Sequence, residues 1–316
     1  MAFYAVTGRD FFPGAVALLN SLRLLGHDEP LLVVDCGMTA RQRDLLAEHA
    51  TVLAAPSPAP PSVLKLVAPQ AHPAEVMVLL DADVIVTRPL TELFETAAGG
   101  TLVAFRNDRE RYFAEWGELL GLGPVRADPY LTSSAVVLGR DAGERLLPLI
   151  DELQAGIDRE RTWVGGGAQT DPLYYLDQDV LNAVAHSRLA PERVVALDAR
   201  LAPIPPFAGV RLLEPQGLRC AYRDGARPYL LHHASRKPWL VRMRSSVYSR
   251  LLTRLLLAPD VALRLDPRDL PLVLRTGSAA GAARLATDLL MTAPGAVRRL
   301  RRRPAPVRAW PNSPAP

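Results

Sequence analysis

Only two cysteines, Cys36 and Cys220, stand in the 316 residues. They are too few for a disulfide framework and lack metal-finger spacing, so a reducing, cytoplasmic setting is the expectation. No uninterrupted apolar run reaches the length of a membrane-spanning helix, and residues 1–10 lack the basic start and apolar stretch of a secretion signal. The chain is therefore expected to be soluble or peripheral. Lysine is nearly missing: among 37 basic residues the lysines are Lys65 and Lys237. Net charge is also small, at +4, but it hides an uneven distribution. Of the 37 basic and 33 acidic residues, 16 and 4 lie from Arg236 to Pro316, which leaves 21 and 29 in the preceding part. An acidic body precedes a basic tail. With 49% hydrophobic residues the chain has material for one large α/β domain or two modest ones, which excludes disorder throughout.

What is present alternates short β-branched runs with helical patterns, the sign of βαβ units and a mainly parallel sheet. Strands are predicted at 3–6, 31–35, 51–55, 76–80, 101–105, 131–138 and 229–232. Pro13 suits a helix start and Gly26 its end, while Thr39 and Gln42 have capping-box spacing before a helix to about His49. A short helix is expected to carry Lys65. Further helices are expected at 112–120, from Asp179 to His186, and over the repeat Val247, Tyr248, Leu251, Leu252, Leu255, Leu256. Trp163 to Gln169 contains three consecutive glycines and reads as a loop, either an acceptor loop or an inert connection.

The chemistry concentrates after the apolar run Val76 to Leu80, which ends in Asp81-Ala82-Asp83. Residues i and i+2 of a strand point to one side, so both carboxylates are expected to converge on a hard cation at the carboxyl edge of the sheet. A strand-to-turn exit with one capping aspartate is the competing reading. Asp177-Gln178-Asp179-Val180-Leu181-Asn182 opens a helix. Leu231-His232-His233-Ala234-Ser235-Arg236-Lys237-Pro238-Trp239 adds imidazoles, an ammonium and an indole.

With these segments in this order, after the opening Ala5-Val6-Thr7-Gly8-Arg9-Asp10, the chain resembles the family 8 retaining glycosyltransferases over roughly residues 3–240. The resemblance implies an α/β GT-A fold, a Rossmann-like mixed sheet, as a domain over 1–240. A helical C-terminal extension over 241–293 and a basic Pro/Arg-rich tail over 294–316 would follow. It implies Asp81, Asp83 and a histidine as ligands of Mn²⁺ or Mg²⁺ on the diphosphate of a nucleotide sugar, with UDP-glucose or UDP-galactose as the expected donor. One residue is missing between that histidine and Lys237, which leaves His232 and then His233 as candidates. Gln178 and Asp177 correspond to catalytic positions. Val6, Thr7, Asp10, Lys65, Asp108, Thr132, Ser133, Lys237 and Trp239 correspond to donor-binding ones. Both lysines fall at donor-facing positions, where a compact ammonium acts as a point charge on phosphate. The sequence departs from the family pattern at Gly8, at Thr132-Ser133-Ser134 and at Ser235.

The acceptor leaves no trace in the sequence; an envelope glycan or a lipid-linked molecule fits the tail. Arg298, Arg299, Arg301, Arg302 and Arg303, near Trp310, suit a peripheral hold on the anionic inner face of a membrane, or a solvated terminus. Nucleic acid is not expected, because aromatic residues are not interleaved with the charges. Two rivals remain. A haloacid-dehalogenase-like phosphatase also carries D-x-D after an apolar strand, but with Thr or Val where this chain has Ile85. A glycosyltransferase-like scaffold that binds donor without turnover is the other.

Overall fold

The computed structural model describes residues 1–234, 237–239, 246–266 and 270. Its strands are β1 (Ala2–Thr7), β2 (Leu31–Asp35), β3 (Thr51–Ala54), β4 (Val76–Leu80), β5 (Val84–Val86), β6 (Leu102–Arg106), β7 (Leu131–Gly139), β8 (Val194–Leu197), β9 (Arg211–Glu214), β10 (Arg219–Ala221) and β11 (Leu230–His232). Helices are α1 (Phe12–Leu24), α2 (Ala40–Ala47), α3 (Pro61–Leu64), α4 (Val67–Ala71), α5 (Thr91–Ala98), α6 (Trp116–Leu119), α7 (Arg140–Ala155), α8 (Leu176–Arg188) and α9 (Val247–Leu257).

The main sheet runs β3-β2-β1-β4-β7-β6-β8, with β7 antiparallel to both neighbours and the remaining pairs parallel. Period-two alternation divides its side chains between two cores. Phe3, Ala5, Val76, Val78, Leu80, Val103 and Phe105 join α1, α5 and α9 on one face. Tyr4, Val6, Met77, Leu79, Leu102 and Ala104 join α7 and α8 on the other. Burial on both faces is why β4 reads as an unbroken apolar run.

The carboxyl ends of β1, β4, β6 and β8 and the amino end of β7 share one rim, and the chain leaves it in two ways that matter. After β4 it turns through Asp81-Ala82-Asp83, closed by Val84 N–H donating to Asp81 O at 3.1 Å. It then enters β5, which pairs antiparallel with β11 so that Val84 faces His232. The pleat expected to align Asp81 with Asp83 is therefore not what converges them; β4 has already ended and a turn does the work. The helix expected over 112–120 is a single turn, α6, which begins only at Trp116 and is followed by Gly121 at φ of +61°. Helix α8 starts at Leu176, so the run from Asp177 expected to open a helix lies in its first turn.

Gly14 on α1 backs the Asp81–Asp83 turn closely. A Cβ there would lie 2.3 Å from Ala82 O and 2.7 Å from Trp239 Cη2. Alanine is the better helix former by about 1 kcal/mol, but this overlap involves backbone and a buried ring, and overpacking costs about 1–3 kcal/mol. Gly14→Ala is expected to lower the thermal midpoint. A midpoint equal to or above that of the parent would refute the close approach.

Helix α9 belongs to the first core through Tyr248, Leu251, Leu252, Leu255 and Leu256. Its end is met by Asn20 of α1, whose Nδ2 donates to Leu255 O at 2.6 Å and to Leu263 O at 2.7 Å. Leu263 N–H returns a bond to Asn20 Oδ1 at 2.9 Å. Ser235, Arg236 and the tail 294–316, with its arginines and Trp310, lie outside the described residues.

Candidate active site

Three chain segments meet at the rim. The Asp81–Asp83 turn is fixed to the sheet by Asp81 N–H donating to Ser134 O at 2.9 Å. The β5–β11 ribbon places His232 beside it, with Nε2 3.4 Å from Asp83 Oδ1 and 3.9 Å from Asp81 Oδ2. One ligand atom from each of the three residues lies within 4.8 Å of the others. Adjacent and opposite ligands of an ion with bonds near 2.1 Å stand roughly 3 to 4 Å apart, so the group can hold a divalent cation with small adjustments. Asp83 Oδ1 points the same way: it is buried and accepts no hydrogen bond. A buried carboxylate oxygen without a donor is costly unless something else, such as an ion, satisfies it. His233 is turned elsewhere, its ring buried between Phe207 and Tyr248 at 5.8 and 4.8 Å.

Each aspartate of the turn carries one lysine. Lys65, the residue after α3, reaches Asp81 Oδ1 at 2.6 Å and Asp177 Oδ2 at 2.8 Å. Lys237 pairs with the Asp83 carboxylate and donates to His233 O. Burial alone would lower the Lys65 ammonium, but Asp177 and Asp81 outweigh it and hold the group above its ordinary value. Burial pushes the Asp81 carboxyl up; Lys65 opposes this and the Asp83 charge adds to it. At Asp83 burial works in the same direction, yet His232 and Lys237 prevail and hold the carboxyl below the usual range. The two carboxyls thus shift in opposite directions, Asp81 up and Asp83 down, according to the charges beside each.

The first turn of α8 forms the opposite wall. Asp177 Oδ2 accepts from Ser133 Oγ at 2.8 Å, and Gln178 Oε1 accepts from Ser133 N–H at 3.2 Å. Strand β7 thereby orients both residues toward the rim. Thr132 turns inward, its Oγ1 3.0 Å from Ser134 Oγ. Asp179 has a different office. It is fully buried and takes Arg111 Nε at 2.7 Å, Arg111 Nη2 at 3.1 Å, Tyr130 Oη at 2.6 Å and Tyr175 N–H at 2.7 Å. Arg111 also donates to Gln169 O at 2.9 Å and to Asp171 O, which ties the glycine loop down on α8. No sequence spacing marked Arg111 or Tyr130.

Other expected donor-binding residues are less direct. Val6 and Thr7 end β1 with buried side chains. Asp10 is exposed, and its carbonyl accepts the Trp239 indole N–H at 2.6 Å. Trp239 is buried edge-on to Phe11 at 6.3 Å and packs on Gly14, so it fastens the Lys-Pro-Trp turn to α1. Asp108 is exposed after β6, in an open pocket of about 480 Å³ lined also by Arg106, Asn107, Ala196, Asp198 and Ala199. Gly8, where the family pattern favours an acid, has no room for one: a Cβ would stand 2.8 Å from Cys36 O.

No protein-family model matches the chain, and no characterised protein matches it in sequence. Solved structures do match. An active-site mutant of LgtC aligns with a TM-score of 0.56 at 16% identity, over 84% of this chain and 98% of that one. LgtC is a galactosyltransferase whose structure was also determined with donor and acceptor sugar analogues, and that form aligns at 0.53. WbbM, a bifunctional glycosyltransferase, gives 0.54 at 16% identity over 83% of this chain and 50% of that one. GlyE, a glycosyltransferase of Streptococcus pneumoniae, gives 0.51 at 14% identity over 79% and 59%. At such identities the likeness speaks for architecture, and the architecture of this chain is the GT-A glycosyltransferase fold.

Proposed function

We propose that the protein is a metal-dependent retaining glycosyltransferase of the family 8 type, moving a hexose from a UDP-sugar to a glycan or lipid-linked acceptor. The observation that carries this reading is the convergence of Asp81, Asp83 and His232 at the sheet rim, with a lysine on each carboxylate. Two carboxylates and an imidazole suit Mn²⁺ better than Mg²⁺, which favours oxygen ligands alone. Bound there, the ion would supply Lewis acidity to the departing diphosphate. Lys65 and Lys237 add fixed positive charge where negative charge develops on the leaving oxygen.

Asp177, held by Ser133 and Lys65, is placed to take hydroxyl groups of the donor sugar. Gln178, oriented by Ser133 N–H, offers an amide oxygen to the developing oxocarbenium ion. The LgtC mutant named above replaces an active-site glutamine by glutamate, which agrees with an amide in this role. A covalent glycosyl-enzyme would need a carboxylate nucleophile at the anomeric carbon, where this reading puts Gln178, a poor nucleophile; Asp177 is paired with Lys65 and Ser133, and Asp179 is buried with both oxygens already bonded. Front-face substitution fits better: the acceptor oxygen bonds to the anomeric carbon as the phosphate leaves, and a phosphate oxygen takes its proton. The test is a screen of nucleotide sugars for Mn²⁺-dependent UDP release, with the anomeric configuration of the product read by NMR. Inversion would overturn the mechanism. UDP binding without release would leave a donor-binding scaffold.

The same reading places the protein in the cytoplasm, held to the inner membrane face by the tail, each basic residue near the surface contributing about 1 kcal/mol. Deleting residues 294–316 is expected to reduce binding to phosphatidylglycerol vesicles at low salt and to spare donor hydrolysis. Undiminished vesicle binding would remove the tail's role.

A further inference from the structure

We propose that Tyr248, on α9 and 165 residues away from the metal-binding turn, is a positioning residue of the cation site: its hydroxyl fixes the peptide carbonyl of Asp83 and through it the aim of the Asp83 carboxylate. The inference rests on the metal reading above and extends the site into a helix that contributes no ligand.

Tyr248 is fully buried and donates its hydroxyl to Asp83 O at 2.8 Å. The same oxygen accepts His233 N–H at 3.1 Å. One carbonyl therefore joins three segments: the Asp81–Asp83 turn, the exit of β11 that carries His232, and the first turn of α9. The C=O and Cα–Cβ directions of one residue are related by its ψ, one of the two soft dihedrals, so restraining the carbonyl narrows the range open to the Cα–Cβ bond beside it. At Asp83 that bond bears the carboxylate that faces His232 and Lys237.

The tyrosine itself has little freedom. Its ring stacks on Phe207 at 5.8 Å with planes 8° apart and meets the His233 ring edge-on at 4.8 Å. Helix α9 is held at both ends, by the Ser246–Ser249 capping box and by Asn20 on Leu255 O. A phenylalanine would fill the same space and pack the same faces. What it removes is the bond to the turn.

Outer-sphere partners of metal ligands typically govern affinity by 10–100-fold, and a backbone hold on one ligand belongs at the lower end. In the full-length protein, Tyr248→Phe is expected to raise the Mn²⁺ dissociation constant roughly tenfold, read from the free-ion EPR signal. The KM for UDP-sugar at saturating Mn²⁺ should stay unchanged. Leu252→Ala, which removes buried α9 packing with no polar link to the turn, should lower the thermal midpoint and leave Mn²⁺ affinity alone. Equal affinity in Tyr248→Phe and parent, or equal weakening in both variants, would overturn the proposal.

Hydrogen exchange on the parent protein gives a check that needs no variant. Adding Mn²⁺ should protect the amides of 246–250 together with those of 81–84 and 230–234. Protection that stops at the latter two segments would also overturn it. A parent protein that binds no Mn²⁺ at all would instead remove the metal reading from which the inference starts.

Discussion

Asp83→Asn is expected to cut Mn²⁺-dependent donor hydrolysis on the order of 10³-fold, about 4 kcal/mol of transition-state stabilisation, while leaving the fold intact. Asparagine keeps the shape of the side chain, so the Asp81–Asp83 turn, the Asp83 carbonyl and its two donors are retained. What disappears is the more firmly ionised of the two carboxylates, the one that His232 and Lys237 hold below its usual range. The same charge is the partner of Lys237, so the metal-free variant loses a largely buried ion pair and should melt below the parent while still folding, and the rise in midpoint that Mn²⁺ gives the parent should vanish. Full activity in this variant would remove the metal hypothesis; collapse of the fold would mean the carboxylate is structural.

Lys65→Met carries the second large effect, and it acts on stability as well as on chemistry. Lys65 stands between Asp81 and Asp177 at 2.6 and 2.8 Å. Methionine fills the volume of the aliphatic stem but leaves two enclosed carboxylates facing each other without a cation. Breaking a buried ion pair in this one-sided way costs about 3 kcal/mol, which urea unfolding in EDTA should show directly. Because Asp81 is also a proposed ligand, Mn²⁺ should restore more stability to this variant than it adds to the parent. The absence of such a difference would separate Lys65 from the metal site. Donor affinity should fall too, since the ammonium faces the place where the diphosphate is held.

Much of this site was legible before any coordinates. An apolar run that stops abruptly at two aspartates marks a buried strand meeting the rim of a sheet, and β4 is that strand. The rarity of lysine drew attention to Lys65 and Lys237, and both lie on the aspartates. Where the reading fell short, the cause was chain geometry that leaves no periodic trace. Strands β5 and β11 have three residues each, too few for alternation to show. The convergence of Asp81 and Asp83 comes from a turn, which a two-residue spacing cannot distinguish from a pleat. Helix α7 went unread because Gly143 and Pro148 interrupt its pattern, although α7 is the longest described helix. Tyr248 looked like one more apolar position on a periodic helix, and only its hydroxyl betrays a second task. Gly14 offered no signal at all, since its importance lies in the atoms of Ala82 and Trp239 that it lets approach.

The β5–β11 ribbon places His232 against a turn that lies 149 positions earlier in the chain. An ion held by all three side chains would work as a clasp across that long loop, binding the native chain and not the unfolded one. At a free concentration one hundred times the dissociation constant, such a clasp deepens stability by about 2.7 kcal/mol. The melting temperature of this protein would then gauge how much metal its surroundings supply.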